Sequence, residues 1–482
     1  MRLLCLAALL ALALLLPRRQ CHGLLVPLTN TLSSLREGNG TTPVPVHHLL
    51  RSSSLRSAAR RRRHRAHRGP RPPQLPAHRQ LSLPLSPGSD YTLSLSVGPA
   101  SAAAPVPLFL DTGSDLVWFP PAPFTCMLCE GKPTPGGSAP LLPPPGSRRV
   151  PCASPLYSAA HASAPPFDLC AAAGCPLEDI ETASCSAASH PCPPLYYAYG
   201  DGSLVAHLRR GRVGLAASVA VENFTFACAH TALGEPVGVA GFGRGPLSLP
   251  AQLSPSLSGR FSYCLVSHSF RADRLIRPSP LILGRSPDDA PRPAASHPYF
   301  YSVALEAVSV GETRIPARPE LGRVDRAGNS GMVVDSGTTF TMLPSETYAR
   351  VAEAFARAMP AAGFARAGRA EAQTGLRPCY RYAATDRGVP PLALHFRGNA
   401  TVALPRRNYF MGYRSEGADG GGVGCLMLMD GGDASSGDGD GPAGTLGNFQ
   451  QQGFEVVYDV DAGRLGFARR RCTDIWDSLS RR

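Results

Sequence analysis

The chain has 482 residues, a formal net charge of +13, 43% hydrophobic residues and 14 cysteines. That length gives room for two or three domains with sizeable cores. The charge suggests a nucleic-acid partner only until it is divided by region. Residues 1–80 hold 14 arginines and one acid, Glu37, which leaves 34 basic and 34 acidic residues in 81–482. The body of the chain therefore lacks the basic footprint that nucleic-acid binding needs.

Residues 2–16 are almost wholly apolar and follow Arg2 directly. The run is too short to span a bilayer and reads as a secretory signal peptide, residues 1–23, cut near Cys21 to Gly23. No other long apolar run follows, and the end of the chain, Trp476 to Arg482, is polar. No transmembrane or glycolipid anchor is expected. Residues 24–80 are rich in Arg, Ser and Pro and include Arg60-Arg61-Arg62-Arg63-His64-Arg65. They read as a basic propeptide that is removed, or equally as a disordered basic spacer.

The mature part is expected to start near Leu81. Asp90 to Val97 alternates cleanly, the pattern of a strand with one buried face. The apolar run Val106 to Leu110 then leads into Asp111-Thr112-Gly113-Ser114-Asp115, followed by Leu116-Val117-Trp118-Phe119. Residues 131–167 form a Pro-, Gly-, Ser- and Ala-rich insertion. Most later segments are short, β-branched or aromatic, and bounded by Gly or Pro, which is an all-β pattern. A lobe boundary is expected near Arg285 to Asp289, giving lobes over 81–290 and 291–482. Met332-Val333-Val334 leads into Asp335-Ser336-Gly337-Thr338-Thr339, and Phe340-Thr341-Met342-Leu343 follows. One helix is clear: Ser345 caps it after Pro344, Tyr348, Val351, Ala352, Phe355 and Met359 form its core stripe, and Pro360 ends it. The Gly- and Asp-rich residues 430–444 lack the bidentate Glu of a calcium loop and read as a mobile surface loop.

The same Asp–hydroxyl–Gly motif thus ends two apolar strands 224 residues apart. One such motif is an ordinary turn former. Two in matched settings describe a two-lobed site to which each lobe brings one carboxylate. Two adjacent carboxylates share a proton, because both cannot ionise cheaply. The ionised member can take a proton from water while the protonated member polarises a carbonyl. The hydroxyls of Thr112, Ser114, Ser336 and Thr338 can support the carboxylates or tie the loops together, and Gly113 and Gly337 permit tight turns. Asp115 reads as structural.

Carried by these motifs, residues 85–475 resemble the pepsin-like aspartic proteases, and more closely their plant nepenthesin-type branch without a saposin-like insert. Tyr199-Gly200-Asp201-Gly202-Ser203 resembles the flap hairpin of that family, and Trp118 matches the tryptophan that commonly bonds the flap tyrosine. Gly238 to Pro250 and Thr445-Leu446-Gly447-Asn448-Phe449 with Val456-Val457-Tyr458-Asp459 resemble the segments that cross behind the two Asp loops. Phe261-Ser262-Tyr263-Cys264 is a further local match. The resemblance implies an all-β bilobal fold, two β-barrel-like lobes with a central cleft and few short helices. It implies an acid endopeptidase with Asp111 and Asp335 as its catalytic pair and Tyr199, Gly200, Asp201, Gly202 and Trp118 around the substrate. An extended peptide would lie under the flap through strand-like bonds. Pepstatin-type inhibitors, a monomer, and the cell wall or vacuole follow from the same resemblance, and neither metal nor cofactor is expected. In the family, propeptides lie over the cleft and hold the zymogen inactive.

Cysteines behind a signal peptide imply disulfides. With Cys5 and Cys21 set aside, twelve remain, or up to six bridges. The resemblance implies Cys264 with Cys472 and Cys379 with Cys425. It also shows Pro121 and Phe124 standing where nepenthesins have two cysteines. Cys126-x-x-Cys129 fits half a zinc site or a disulfide-stapled loop, and an oxidising compartment favours the second. The N-lobe cluster of Cys126, Cys129, Cys152, Cys170, Cys175, Cys185, Cys192 and Cys228 cannot be paired from sequence. Asn39, Asn223 and Asn399 stand in glycosylation sequons, with Asn399 beside Gly398 the best placed. His161, His190, His207 and His230 show no metal-ligand spacing and are assigned to the surface. The competing class is a non-catalytic binder on the same fold, an inhibitor-like protein of the plant cell wall; it would be expected to have lost an Asp motif or the flap. A serine hydrolase has no G-x-S-x-G motif here to support it.

Overall fold

The computed structural model describes residues 46–64, 81–85, 91–99, 105–127, 129, 144–151, 154–162, 194–198, 202–216, 219–253, 259–267, 278–284, 294–295, 301–324, 330–382, 388–414, 422–432 and 441–480. The signal segment, Asn39, Tyr199, Gly200, Asp201, His190 and most of the 131–167 and 430–444 insertions lie outside them.

The expected all-β, two-lobed fold is present. In the N-terminal half, nine strands form one sheet around the paired strands Ser203–Ala216 and Val219–Leu233. In the C-terminal half, a five-stranded sheet and two four-stranded sheets do the same work. A six-stranded sheet joins the halves: Arg260–Cys264 pairs antiparallel with Phe454–Asp459, and Phe261 stands opposite Tyr458. Leu81–Leu85 closes one edge of that sheet against Ser279–Leu283.

The alternation at the start of the β fold is real. Leu93, Leu95 and Val97 are buried, while Ser94 and Ser96 are half-buried. Pleating sends successive side chains to opposite faces, so these three apolar residues meet Val106 and Leu108 in one core.

The helix expected near Ser345 spans Ser345–Ala361. Val351, Phe355 and Met359 are fully buried along it. Two details differ from expectation. Pro344 occupies the cap position, and no side chain caps the helix. The Ser345 hydroxyl instead donates to Asp430 Oδ1 at 2.7 Å. Pro360 also lies inside the last turn rather than ending the helix.

Disulfides join Cys264 to Cys472, Cys379 to Cys425, and Cys126 to Cys129. The first ties the C-terminal helix Cys472–Ser480 to the shared sheet. Cys228 is a free, buried thiol. With one of the twelve cysteines unbonded, the expectation of up to six bridges falls to five at most.

Candidate active site

The two Asp motifs end equivalent strands. Pro105–Asp111 runs parallel to Gly238–Gly241, with Asp111 opposite Gly241. Met332–Val334 runs parallel to Gly444–Leu446 in the same manner. The symmetry extends to the main chain: Leu110 N–H donates to Tyr91 O, and Val334 N–H donates to Tyr301 O, both at 2.8 Å. The glycine-bearing strands that the sequence placed behind each loop are the ones observed there. A side chain on Gly447 would meet Phe340 C and Thr339 O at 2.6 Å, so the approach admits only glycine.

Both carboxylates are buried, Asp111 at 1% and Asp335 at 0% exposure. A buried carboxylate is tolerable only when hydrogen bonds replace water. Gly113 N–H donates to Asp111 Oδ1 at 2.9 Å, and Ser114 Oγ donates to Oδ2 at 2.7 Å. In the other loop, Gly337 N–H donates to Asp335 Oδ1 at 2.8 Å and Thr338 Oγ1 to Oδ2 at 2.6 Å. One backbone and one hydroxyl donor therefore hold each carboxylate in a fixed orientation.

The loops are also laced to each other. Thr112 N–H donates to Ser336 Oγ at 3.0 Å, and Ser336 N–H donates to Thr112 Oγ1 at 2.9 Å. Each hydroxyl passes its own proton on, Thr112 to Val334 O and Ser336 to Leu110 O. The structure thus brings together Asp111, Thr112, Gly113, Ser114, Asp335, Ser336, Gly337 and Thr338. Asp115 accepts the Gly245 N–H at 2.8 Å.

A polar floor below the loops was not foreseen. Tyr263 donates to Gln451 Oε1, and its oxygen lies 2.6 Å from that of Tyr458. Gln451 Nε2 donates to the Leu446 carbonyl at 2.8 Å and to that of Asp335 at 3.3 Å. Asn448 Nδ2 donates to Ser336 O at 2.9 Å. Burial drives both tyrosine hydroxyls well above their ordinary range, so they remain neutral hydrogen-bonding groups. The alternation in Phe261-Ser262-Tyr263-Cys264 signals one buried aromatic face, but not which polar groups meet it.

Trp118 sits apart, fully buried in a cluster with Leu116, Leu195 and Tyr197. Leu195–Ala198 and Ser203–Ala216 form the hairpin expected for a flap, with Ala198 opposite Ser203. Gly202 packs against the Leu233 carbonyl where a Cβ would stand. The tip, Tyr199 to Asp201, lies outside the described residues.

His207 and His230 are not simple surface residues. They stand on adjacent long strands, half-buried, with rings edge to face at 4.5 Å. Burial and then the Arg149 charge push His207 down to about 4. No group of three His, Cys, Asp or Glu side chains among the described residues could hold a metal ion. Nor is any described helix long and apolar enough to cross a membrane.

Two carboxylates held by matched donors on loops that interlock have the arrangement an aspartic-protease centre requires. Comparison with known proteins gives the same class. Residues 91–284 match the family described as xylanase inhibitor N-terminal, and 300–469 match xylanase inhibitor C-terminal. An Arabidopsis thaliana protein described as a probable aspartyl protease is 53% identical over 83% of this chain and 85% of its own. Aspartic proteinase nepenthesin-1 of Nepenthes gracilis is 29% identical, over 80% of this chain and 78% of its own. Among solved structures, soybean basic 7S globulin superposes with a TM-score of 0.57 at 18% identity, covering 82% of this chain and 96% of that one. Lupine conglutin gamma superposes at 0.56 with 19% identity, covering 83% and 97%, and both likenesses concern the fold. The chain belongs to the pepsin-like aspartic protease family, in its plant nepenthesin-type branch.

Proposed function

We propose that this protein is a secreted endopeptidase that cleaves extended peptides under acidic conditions, with Asp111 and Asp335 as its catalytic pair. The observation that carries the reading is the interlocked pair of loops, in which each carboxylate takes one N–H and one hydroxyl donor. A pair so placed shares one proton. The ionised carboxylate takes a proton from water as the water attacks the scissile carbonyl. The protonated carboxylate polarises that carbonyl and delivers its proton onward. No covalent acyl-enzyme forms.

In this reading the hairpin Leu195–Ala198 with Ser203–Ala216 carries Tyr199 over the substrate, and Trp118 packs its base. Substrate backbone adds to the cleft as a strand, and apolar pockets select its side chains. The enzyme acts as a monomer in the cell wall or vacuole and is blocked by pepstatin-type compounds. Exposed Asn399, in the hairpin turn after Gly398, is the preferred glycan site. Asn223 is exposed on its strand, with its Oδ1 accepting from Arg148 at 3.0 Å.

The test is peptide cleavage by the purified secreted chain at about pH 4, near the ordinary carboxylate range. Asp111→Asn, Asp335→Asn and a pepstatin-type inhibitor should each abolish it. A folded chain that cleaves nothing in a broad peptide library at that pH would overturn the proposal.

A further inference from the structure

The helix Val46–His64 belongs to the basic segment upstream of the β fold, yet it is docked on the C-terminal lobe. Among the described side chains of the helix, Leu50, Ser53, Ser54 and Ser57 are buried, spaced i, i+3, i+4 and i+7 along one face. Three of the four are serines. Small side chains let the helix approach closely, and their hydroxyls answer polar groups that an apolar stripe would leave unsatisfied.

Three of the four meet a specific receiver on the lobe. Leu50, fully buried, joins Phe340, Leu376, Met427 and Phe449 in one cluster. Ser54 Oγ donates to the Thr374 carbonyl at 2.9 Å, at the end of the helix Gly368–Thr374. Gly375 follows in the left-handed region at φ +74, and a Cβ there would lie 3.0 Å from Ser54 Oγ. Ser57 Oγ accepts the Phe340 N–H at 3.0 Å. Phe340 is five residues beyond Asp335, so the helix completes the wall of the second Asp loop. In the first loop the equivalent residue, Leu116, is covered by Leu195 and Tyr197 of the lobe's own hairpin.

We propose that this groove on the C-terminal lobe is a receptor for the upstream helix, and that the helix stays bound there as a separate chain after cleavage between residues 65 and 80. The docking contacts described above are made by the helix and the lobe themselves, so none of these contacts requires the covalent link between the two. The inference concerns binding and does not depend on the proteolytic reading.

The test uses the full secreted chain with a site-specific protease sequence placed within residues 68–76. After cutting, gel filtration at nanomolar concentration should show the fragment carrying the helix co-eluting one-to-one with the large fragment, and separating only in denaturant. Elution of the small fragment by itself, with the large fragment folded or precipitated, would overturn the proposal. In a second arm, Leu50→Asp combined with Ser54→Arg should release at least ten times more fragment after the same cut. Equal retention of that variant would show that this face is not the docking face. If the variant is not secreted, the natural sequence after cutting decides alone. A labelled peptide of residues 46–64 should then exchange into the cut complex and saturate at one per chain.

Discussion

Gly113 lies against the Asp335 carboxylate: a Cβ on it would stand 2.8 Å from Asp335 Cγ and 2.9 Å from Oδ1. The main chain of one Asp loop is therefore the wall against which the other lobe's carboxylate rests. Real Cβ atoms do not approach so closely, so a methyl group here must push the two loops apart. Gly113→Ala is expected to remain folded by circular dichroism and to lose about 100-fold in kcat/KM, the scale of a 1 Å misplacement in a reacting pair. Activity within a few-fold of the natural enzyme would show that the loops tolerate separation.

The crossed bonds between Thr112 and Ser336 should behave as one unit. Thr112→Val removes the acceptor for the Ser336 N–H, and Ser336→Ala removes the acceptor for the Thr112 N–H. Each strands a buried donor at a cost of about 1–3 kcal/mol. Because the two residues bond each other reciprocally in one buried network, the cost of the double variant should differ from the sum of the singles by at least about 0.5 kcal/mol. Denaturant unfolding of the four proteins measures the coupling, and strict additivity would contradict it.

Cys228 is buried opposite His207 on the neighbouring strand. Burial, partly opposed by the Arg209 charge, pushes its thiol up to about 12. A thiol that is neutral and out of reach does not alkylate. Peptide mapping after iodoacetamide at pH 8 should find Cys228 unmodified in the native protein and modified after unfolding.

His207 should make the fold sensitive to acid. Its folded value is near 4 against an ordinary 6.5, through burial first and then Arg149, His230 and Arg209. The unfolded chain accepts the proton at higher pH than the folded one. The stability held above pH 6.5 is therefore lost as pH falls from about 6.5 towards 4. Solvent at this half-buried site tempers the loss to about 1–2 kcal/mol. His207→Gln should flatten the fall of Tm across that window, and an unchanged slope would exclude the pair as its source.

The sequence exposed the Asp loops because each motif sits between apolar runs, and the same pattern recurs. The helix after Pro344 was equally legible, since Val351, Phe355 and Met359 repeat at helical spacing. The upstream helix was not. Its buried face is mostly serine, so hydrophobic periodicity cannot reveal it, and its arginines and serines resemble those of a spacer. The tyrosine floor escaped for another reason: Tyr263 meets Tyr458 across 195 positions, a distance no local pattern spans. The histidine pair was missed likewise, because the register of two long strands alone brings His207 beside His230.

The strand Leu81–Leu85 is the outermost member of the shared sheet, matched residue for residue with Leu283 back to Ser279. A trimming enzyme that stops before Leu81 leaves every rung of that ladder intact. One that goes further strips the border of Ser279–Leu283 and exposes backbone groups ready to recruit a foreign strand. The sheet thus sets a limit: any shortening of the amino terminus that passes Leu81 would trade a finished edge for a sticky one.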